Sequence, residues 1–252
     1  GTTLTHVEMT PATARFVEAV ERSDWASVLR LLDEHWVEIW FAIDPADMRR
    51  LSAAVPPHLI RSHPNAKFIV RATGHGPVDD LLHLPPAPAS DATPAELAQY
   101  IADLRIRCRP VHAMAYVHRA LAGLKAQRGQ PLDSSGGTTA MWLVQAAITA
   151  MLAGETSTAT GILLTATHVH RPDRFPFIVR EATAKLALTY AIIGDITEAI
   201  AVNDRARGLP RSESWVESLV DETIRLTDYI CAVDTFASRA ESMRQQNPSP
   251  MA

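Results

Sequence analysis

The chain is poor in cysteine. Its 252 residues include two, Cys108 and Cys231, and these lack the close spacing of paired zinc ligands. A fold stapled by several disulfides is therefore excluded, and a reduced, cytoplasmic protein is favoured. Both cysteines fall within predicted helices, where we expect core thiols rather than metal ligands.

The chain also lacks an excess of charge and a long apolar run. Lys and Arg number 24 against 28 Asp and Glu, which gives a net charge of −4 and a pI near 6.2. Nothing marks a general binder of nucleic acid or anionic membranes, so any DNA contact is expected outside this chain. The most apolar stretch, residues 140–154, contains Gln145 and Thr149 and is too short to cross a bilayer. No basic segment followed by an apolar one opens the chain. We expect no membrane partner.

Aromatic residues are scarce as well, at 6% of the chain. Strict alternation of β-branched residues is rare, whereas Ala, Leu, Glu and Arg recur at helical spacing. The sequence therefore predicts an all-α protein with little or no sheet.

What the sequence does contain is the pattern of two antiparallel helices joined by a tight turn, which begins at residues 188–195. Gly194 permits the positive φ at which many helices end, and Asp195 can cap the amides that open the next helix. Ala199 and Ala206 are small enough to let two helices approach closely.

The same pattern occurs upstream, around Gly154 and Glu155. Small residues recur there at the same offsets from the acid, at Ala159 and Ala166. The separation, 195 minus 155, is 40 residues, which is typical of helical repeats. We predict tetratricopeptide-like antiparallel helix pairs that form a short, irregular α-solenoid, with weaker copies at Ser23-Asp24 and near Asp234. An ordinary helical bundle is the alternative.

Breaks in the helical pattern divide the chain into four parts. These are an N-terminal helical block (1–73), a Pro-rich connector (74–94), the helical repeats (95–245) and a disordered tail (246–252). A second break, at 129–137, is rich in Gly and Ser. The connector is either a lid over a groove or a plain link between two helical blocks, and both alternatives stay open.

The ten histidines do not predict a metal site. His168 and His170 are two residues apart, which on a helix turns their side chains about 200° from each other. His112 and His118 also lie on poorly matched faces, and no cysteine or carboxylate cluster completes either pair. We expect histidines at the surface or at helix ends, and no metal.

Signatures of catalysis are missing too. Residues 134–139 precede a helix but lack the lysine of a phosphate-binding loop, so a flexible linker with a Thr N-cap is favoured. There is no Gly-x-Ser-x-Gly elbow, and carboxylates such as Glu198 and Asp221 lie on amphipathic helices where solvated charge is the rule. We expect no catalytic residue, no cofactor and no enzyme.

Three N-terminal segments carry a resemblance to a known family. They read LLDEHW at 31–36, DPADMRRL at 44–51 and VPPHLIRSHP at 55–64. This succession resembles the helical-repeat region of actinobacterial LuxR-family transcriptional regulators, most clearly over residues 11–72 and, through the tetratricopeptide-like pairs, over 139–207.

The resemblance implies a sensor domain that normally precedes a C-terminal helix-turn-helix domain. Residues 245–250 contain no recognition helix and the chain has no basic surface signature. We therefore expect a sensor domain without its DNA-binding portion, or a stand-alone helical-repeat protein that never had one.

In a helical-repeat array, the first helix of each pair lines the concave surface. The ligand-binding candidates are Tyr116, Met141, Trp142, Val144, Gln145, Ile148, Met151, Arg180, Glu181, Lys185 and Leu188. For each apolar member, plain packing against neighbouring helices is the competing interpretation.

The leading functional hypothesis is a regulatory domain that binds a small ligand or a peptide or protein partner in this groove and relays binding to an attached helix-turn-helix domain. The alternative is a stand-alone tetratricopeptide-like scaffold for protein–protein interaction. A homodimer is compatible with either.

Overall fold

The computed structural model describes residues 10–73, 84, 86–92, 94–126, 138–168 and 176–246, and their only regular secondary structure is helical. The prediction of an all-α chain is confirmed for these residues. In chain order the helices are α1 (Pro11–Glu21), α2 (Trp25–Ala42), α3 (Pro45–Ala54), α4 (Pro57–Ser62), α5 (Pro64–Ala72), α6 (Pro94–Ile106), α7 (Pro110–Ala126), α8 (Thr138–Leu152), α9 (Thr156–Ala166), α10 (Pro176–Ile193), α11 (Ile196–Gly208) and α12 (Val216–Gln246). Most of the predicted connector, the Gly-rich break and the tail beyond 246 fall outside the described residues.

Local sequence fixes where several helices begin. Thr10 caps α1 by accepting the amide of Thr13 at 3.2 Å, and Asp24 caps α2 by accepting the amide of Ser27 at 3.2 Å. Asp195 caps α11 in the same way, as predicted. Each cap gives a partner to one of the amides that a helix N-terminus leaves without an intrahelical acceptor.

Four helix ends share one turn geometry. The turn residue has a positive φ at Ser23 (56°), Cys108 (57°), Gly154 (84°) and Gly194 (91°). The next amide donates to the carbonyl five residues earlier, in the pairs Asp24–Ala19, Arg109–Leu104, Glu155–Ala150 and Asp195–Tyr190, at 2.9 to 3.0 Å. This is the Schellman geometry, which satisfies carbonyls that the helix end leaves unpaired. The turns predicted at Gly154 and Gly194 are thus confirmed, and a turn of the same geometry is present at Ser23, whereas the repeat itself stays a prediction.

Two predictions from the sequence are wrong, one about a turn near Asp234 and one about the burial of Cys108. Helix α12 runs unbroken past Asp234, so no turn exists there. Cys108 is exposed in the turn after α6, because that helix ends two residues earlier and its end is closed by the Schellman turn. Cys231, in contrast, is buried as expected.

The helices of the second half pack in a regular order. Helices α6, α8, α10 and α12 each pack against the next in that series, while α7, α9 and α11 each pack against the two helices adjacent to them in sequence. Ala150, Ala159, Ala199 and Ala206 are fully buried at these contacts, where small side chains allow close approach.

The N-terminal helices and the later ones share one hydrophobic core. A continuous cluster of buried side chains extends from Phe16 in α1 to Val216 in α12. Trp40 and Phe41 of α2 contact Trp215, with ring centroids 5.7 Å and 5.9 Å away. The proposed division into an N-terminal block and a repeat region stays a prediction, and the two parts are joined by aromatic packing.

Candidate functional site

The predicted ligand-binding residues lie on three helices. Tyr116 is on α7, six candidates are on α8 and four are on α10. The buried candidates are Met141, Trp142, Val144, Arg180, Glu181 and Leu188; the partly exposed ones are Tyr116, Gln145, Ile148, Met151 and Lys185. The apolar members belong to the continuous core or pack against it, with the exception of Leu188, which is buried outside that cluster. The polar members therefore define where a ligand would be recognised.

Gln145 receives an arginine that the sequence analysis missed. Arg105, in the last turn of α6, donates from Nη1 to the Gln145 carbonyl at 3.1 Å and from Nη2 to the Gln145 side-chain oxygen. Burial lowers the pKa of Arg105, and the nearby Glu181 carboxylate opposes this shift. A guanidinium held by two oxygens of α8 is thus kept in a poorly hydrated place.

Glu181 lies close to Arg105 and is 8% exposed. Its Oε2 atom is buried and has no hydrogen-bond partner among the residues that the structure describes. Burial raises the pKa of Glu181, Lys185 and Arg105 pull it down, and Glu217 adds to the rise. Burying a carboxylate oxygen without a hydrogen-bond donor costs folding free energy. This oxygen therefore either destabilises the fold or accepts a hydrogen bond from a bound ligand.

Lys185 lies one helical turn beyond Glu181 and is half-buried. Its Nζ donates to Oγ1 of Thr223 on α12 at 2.8 Å. Burial lowers the pKa of Lys185, the Glu181 carboxylate raises it, and the positive Arg105 lowers it further. The lysine thereby connects α10 to α12 while its charge stays poorly hydrated.

We call Arg105, Gln145, Glu181, Lys185 and Thr223 the cationic cluster. They come from α6, α8, α10 and α12, which are the helices that pack in series. These five residues include two positive groups and one carboxylate, and the Glu217 carboxylate that pairs with Arg180 also acts on Glu181. Several ionisable side chains gathered in one poorly hydrated place are a recognised mark of functional sites.

Arg180 has a different environment from its neighbour Glu181. It binds Glu217 through Nη1 and Asp221 through Nη2, the latter at 2.7 Å, and both acids are on α12. Burial would lower the pKa of Arg180, but hydrogen bonds to Asp221 and Glu217 outweigh it and raise the pKa. Arg180 therefore attaches the start of α12 to α10 through two ion pairs.

A separate pocket of about 350 Å³ lies between α4, α5 and α6. Pro86 and Pro88, from the described part of the connector, form one of its walls, and Tyr100 of α6 forms another. Tyr116 packs behind Tyr100 with ring centroids 4.7 Å apart. Burial and a hydrogen bond with Tyr116 raise the pKa of Tyr100 to about 12. We call this space the junction pocket.

Trp142 lies near both sites, beside a narrow crevice of about 20 Å³ that also touches Gln145 and Phe68. The crevice is large enough to hold about one water molecule. The Trp142 indole N–H is buried, and no described residue accepts a hydrogen bond from it.

Within the described ranges, no three His, Cys, Asp or Glu side chains lie together in a way that could hold a metal ion. His118 instead pairs with Glu155 at 3.2 Å, and His168 contacts the Leu164 carbonyl at 2.6 Å. His170 lies outside the described residues. Of the helices that the structure describes, none combines the length and the apolar character needed to cross a bilayer.

The chain matches no protein-family model, no curated protein and no solved structure.

Proposed function

We propose that this chain is a cytoplasmic sensor domain of a transcriptional regulator, built as a short, tetratricopeptide-like α-solenoid. The serial packing of α6, α8, α10 and α12, with the intervening helices on their flanks, supports the solenoid. In this arrangement the serial helices are the inner ones, and the cationic cluster lies along them. The resemblance of the N-terminal segments to LuxR-family regulators supports the regulatory role.

The cationic cluster is the observation that carries the proposal. Arg105 and Lys185 provide two positive groups in a poorly hydrated place, and Glu181 provides an acceptor without a donor among the described residues. A small acidic molecule would pair with the two positive groups, and a hydroxyl or amino group on it would donate to Glu181. The ligand is therefore expected to carry a carboxylate or phosphate together with a hydrogen-bond donor.

The contacts of Lys185 supply a way to relay binding. Lys185 is bonded to Thr223, and Arg180 next to Glu181 is bonded to Glu217 and Asp221. All three of these partners are on α12. A ligand that draws Lys185 away from Thr223 alters the attachment of α12, the helix that precedes the expected position of a helix-turn-helix domain.

Thermal unfolding with candidate ligands tests the binding step. Glucose 6-phosphate and succinate serve as acidic probes and glucose as the neutral control. We expect at least one acidic probe to raise the unfolding midpoint and glucose to leave it unchanged. Arg105→Gln should abolish the shift, whereas Arg225→Gln, which removes an exposed arginine of α12, should keep it. An equal shift in both variants would contradict binding at the cluster.

A second experiment tests the relay. Hydrogen exchange along α12 should change when the stabilising probe is bound, and the change should be absent in Lys185→Met.

The gene downstream of residue 252 should encode a helix-turn-helix segment, and its absence would contradict the regulatory role.

One observation favours the alternative, a protein–protein interaction scaffold. Helix α12 exposes five large apolar side chains at positions 219, 226, 229, 233 and 236. Leu219, Leu226 and Val233 are seven residues apart, as are Tyr229 and Phe236, and this spacing suits packing against another helix. Light scattering of the purified chain checks the simplest case, a homodimer, in which Val233→Glu should restore the monomer.

A further inference from the structure

The junction pocket has walls of a different character from the cationic cluster. Phe68 of α5 and Tyr100 of α6 provide aromatic surface, while Pro86 and Pro88 provide apolar surface. Its volume of about 350 Å³ is at the small end of the range for ligand pockets, roughly 300 to 1,000 Å³. A space of this size suits a flat molecule of one or two rings.

The walls are held in place from several sides. Phe68 packs edge-on against Trp36 and Trp40, with centroids 5.8 Å and 6.1 Å away. Arg119 of α7 donates to the carbonyl of Ala89, next to the proline wall. The pocket is thus bordered by residues that pack on the core and by a stretch of the connector that is bonded to α7 next to the prolines.

The acidic side chains that line the pocket have interaction partners in the protein, whereas two of its basic side chains have none among the described residues. Asp103 accepts a bond from Arg107 at 3.2 Å, and Glu96 also has an interaction of its own. The side chains of Arg61 and Lys67 line the same pocket and have no hydrogen-bond or ion-pair partner within the part of the chain that the structure describes. Arg61 and Lys67 therefore have donors available to a ligand in the pocket, and a negatively charged group is the acceptor that suits both.

We propose that the junction pocket is a second binding site, separate from the cationic cluster, for a planar aromatic molecule that carries one negative group. The ring lies between Phe68, Tyr100 and the two prolines, and the anionic group faces Arg61 and Lys67. Offset or edge-on ring contacts supply the affinity, and the two cations supply the preference for an acid.

Titration calorimetry with 2-naphthoate tests this site, with the uncharged 2-naphthylmethanol as the matched probe. We expect one saturable site for naphthoate and about tenfold weaker binding of the alcohol, since a single charge contact of this kind is worth roughly that factor. The double variant Arg61→Gln/Lys67→Gln should bind both probes equally. The control Arg22→Gln/Arg30→Gln removes the same charge from exposed positions elsewhere and should keep the preference.

A blocking variant separates this pocket from the cluster. Ser62 is exposed and lines the pocket, so Ser62→Trp should fill it and abolish naphthoate binding, whereas Arg105→Gln should leave binding intact. Absence of saturable binding at millimolar naphthoate would overturn the proposal. Binding that survives both Ser62→Trp and the double variant would overturn it equally, because the molecule would then be held elsewhere.

Discussion

The indole N–H of Trp215 donates to the carbonyl of Trp40 across 2.8 Å, which joins two residues 175 positions apart in the chain. Ser214 makes the neighbouring link, from its hydroxyl to the carbonyl of Phe41 at 2.7 Å. These bonds lie immediately before α12 and at the end of α2. They make the N-terminal helices a support for the start of α12.

Trp215→Phe should therefore destabilise the protein. The change keeps an aromatic ring but leaves the Trp40 carbonyl without its donor, for which we expect a loss of about 1 to 2 kcal/mol in the free energy of unfolding. Urea denaturation measures it. Trp25→Phe is the matched control, because Trp25 is partly buried and its indole N–H has no partner among the described residues. Equal losses in the two variants would mean that the bond to Trp40 makes no net contribution to the free energy of unfolding.

The ion pairs of Arg180 and Arg225 should differ sharply in their contribution. Arg180→Met leaves the Glu217 carboxylate, whose side chain is 1% exposed, without its cation. We expect a loss of about 3 to 5 kcal/mol, as is typical when one partner of a buried pair is removed. Arg225→Met breaks a surface pair with Glu222, in which both side chains are more than 60% exposed, and should change stability by less than about 0.5 kcal/mol.

A double variant separates the pair from the packing of the arginine stem. Arg180→Met/Glu217→Gln removes the stranded charge and should recover part of the loss caused by Arg180→Met alone. If the double variant is no more stable than the single one, burial of an unpaired carboxylate is not the cause of the effect.

Glu181→Gln should make the protein more stable at pH 7, because the raised pKa of Glu181 means that the burial penalty on its carboxylate outweighs the attraction of Lys185 and Arg105. The folded-state pKa of Glu181 is raised above its ordinary value of 4.5, chiefly by burial. The folded protein therefore binds this proton more tightly than the unfolded chain. The resulting stability is fully present below pH 4.5 and is lost as the pH rises through the raised pKa.

Urea unfolding at a series of pH values checks this prediction. The decline in stability above pH 4.5 should be shallower in Glu181→Gln than in the wild type, and it should be unchanged in Glu21→Gln, which alters an exposed carboxylate at the end of α1. A lower stability of Glu181→Gln at pH 7 would show that attraction to Lys185 and Arg105 outweighs the burial penalty.

Two glycine-to-alanine changes should have opposite signs. A Cβ added at Gly194 or at Gly161 meets no atom within 4 Å, so space does not distinguish them. Gly194 has a φ of +91°, where alanine is strained, and Gly194→Ala should lose about 1 to 2 kcal/mol. Gly161 lies inside α9, where Gly161→Ala should gain roughly 0.5 to 1 kcal/mol. Midpoints of thermal unfolding report both, and two changes of the same sign would contradict the backbone argument.

The local rules of sequence predicted much of the helical framework. Asp195 acts as the cap that the sequence predicts, and Gly154 and Gly194 take the positive φ that their place after apolar helical runs requires. Thr10 and Asp24 cap their helices by the same local rule. These features depend on a few neighbouring residues. They are therefore readable without knowledge of the tertiary structure.

The turn at Cys108 was missed for a physical reason. A non-glycine residue at positive φ gives no signal of its own, because the penalty of about 1 to 2 kcal/mol is offset by the bonds that close the helix end. Ser23 has the same geometry, and it was recognised only because Asp24 follows it as a cap.

The candidate site was predicted only in part. Gln145, Glu181 and Lys185 were selected from helical periodicity, and they do lie together. Arg105 was missed because a lone arginine near a helix end is normally a solvated charge. Its contact with Gln145 joins residues 40 positions apart, and no local pattern encodes such a pairing. The junction pocket likewise arises from segments that only the tertiary fold brings together.

Among the side chains that the structure describes, those that bond helix α12 to its neighbours lie in its first half. Glu217, Asp221 and Thr223 bind α10, whereas every side chain described from Ala232 to Ser238 is exposed. The helix has 31 residues, and at about 1.5 Å per residue it is roughly 46 Å long. The bonded half lies beside the cationic cluster, and the remaining half extends roughly 23 Å beyond it at about 1.5 Å per residue. A bend of about 5° where the bonded half ends would therefore displace the far end of the helix by roughly 2 Å.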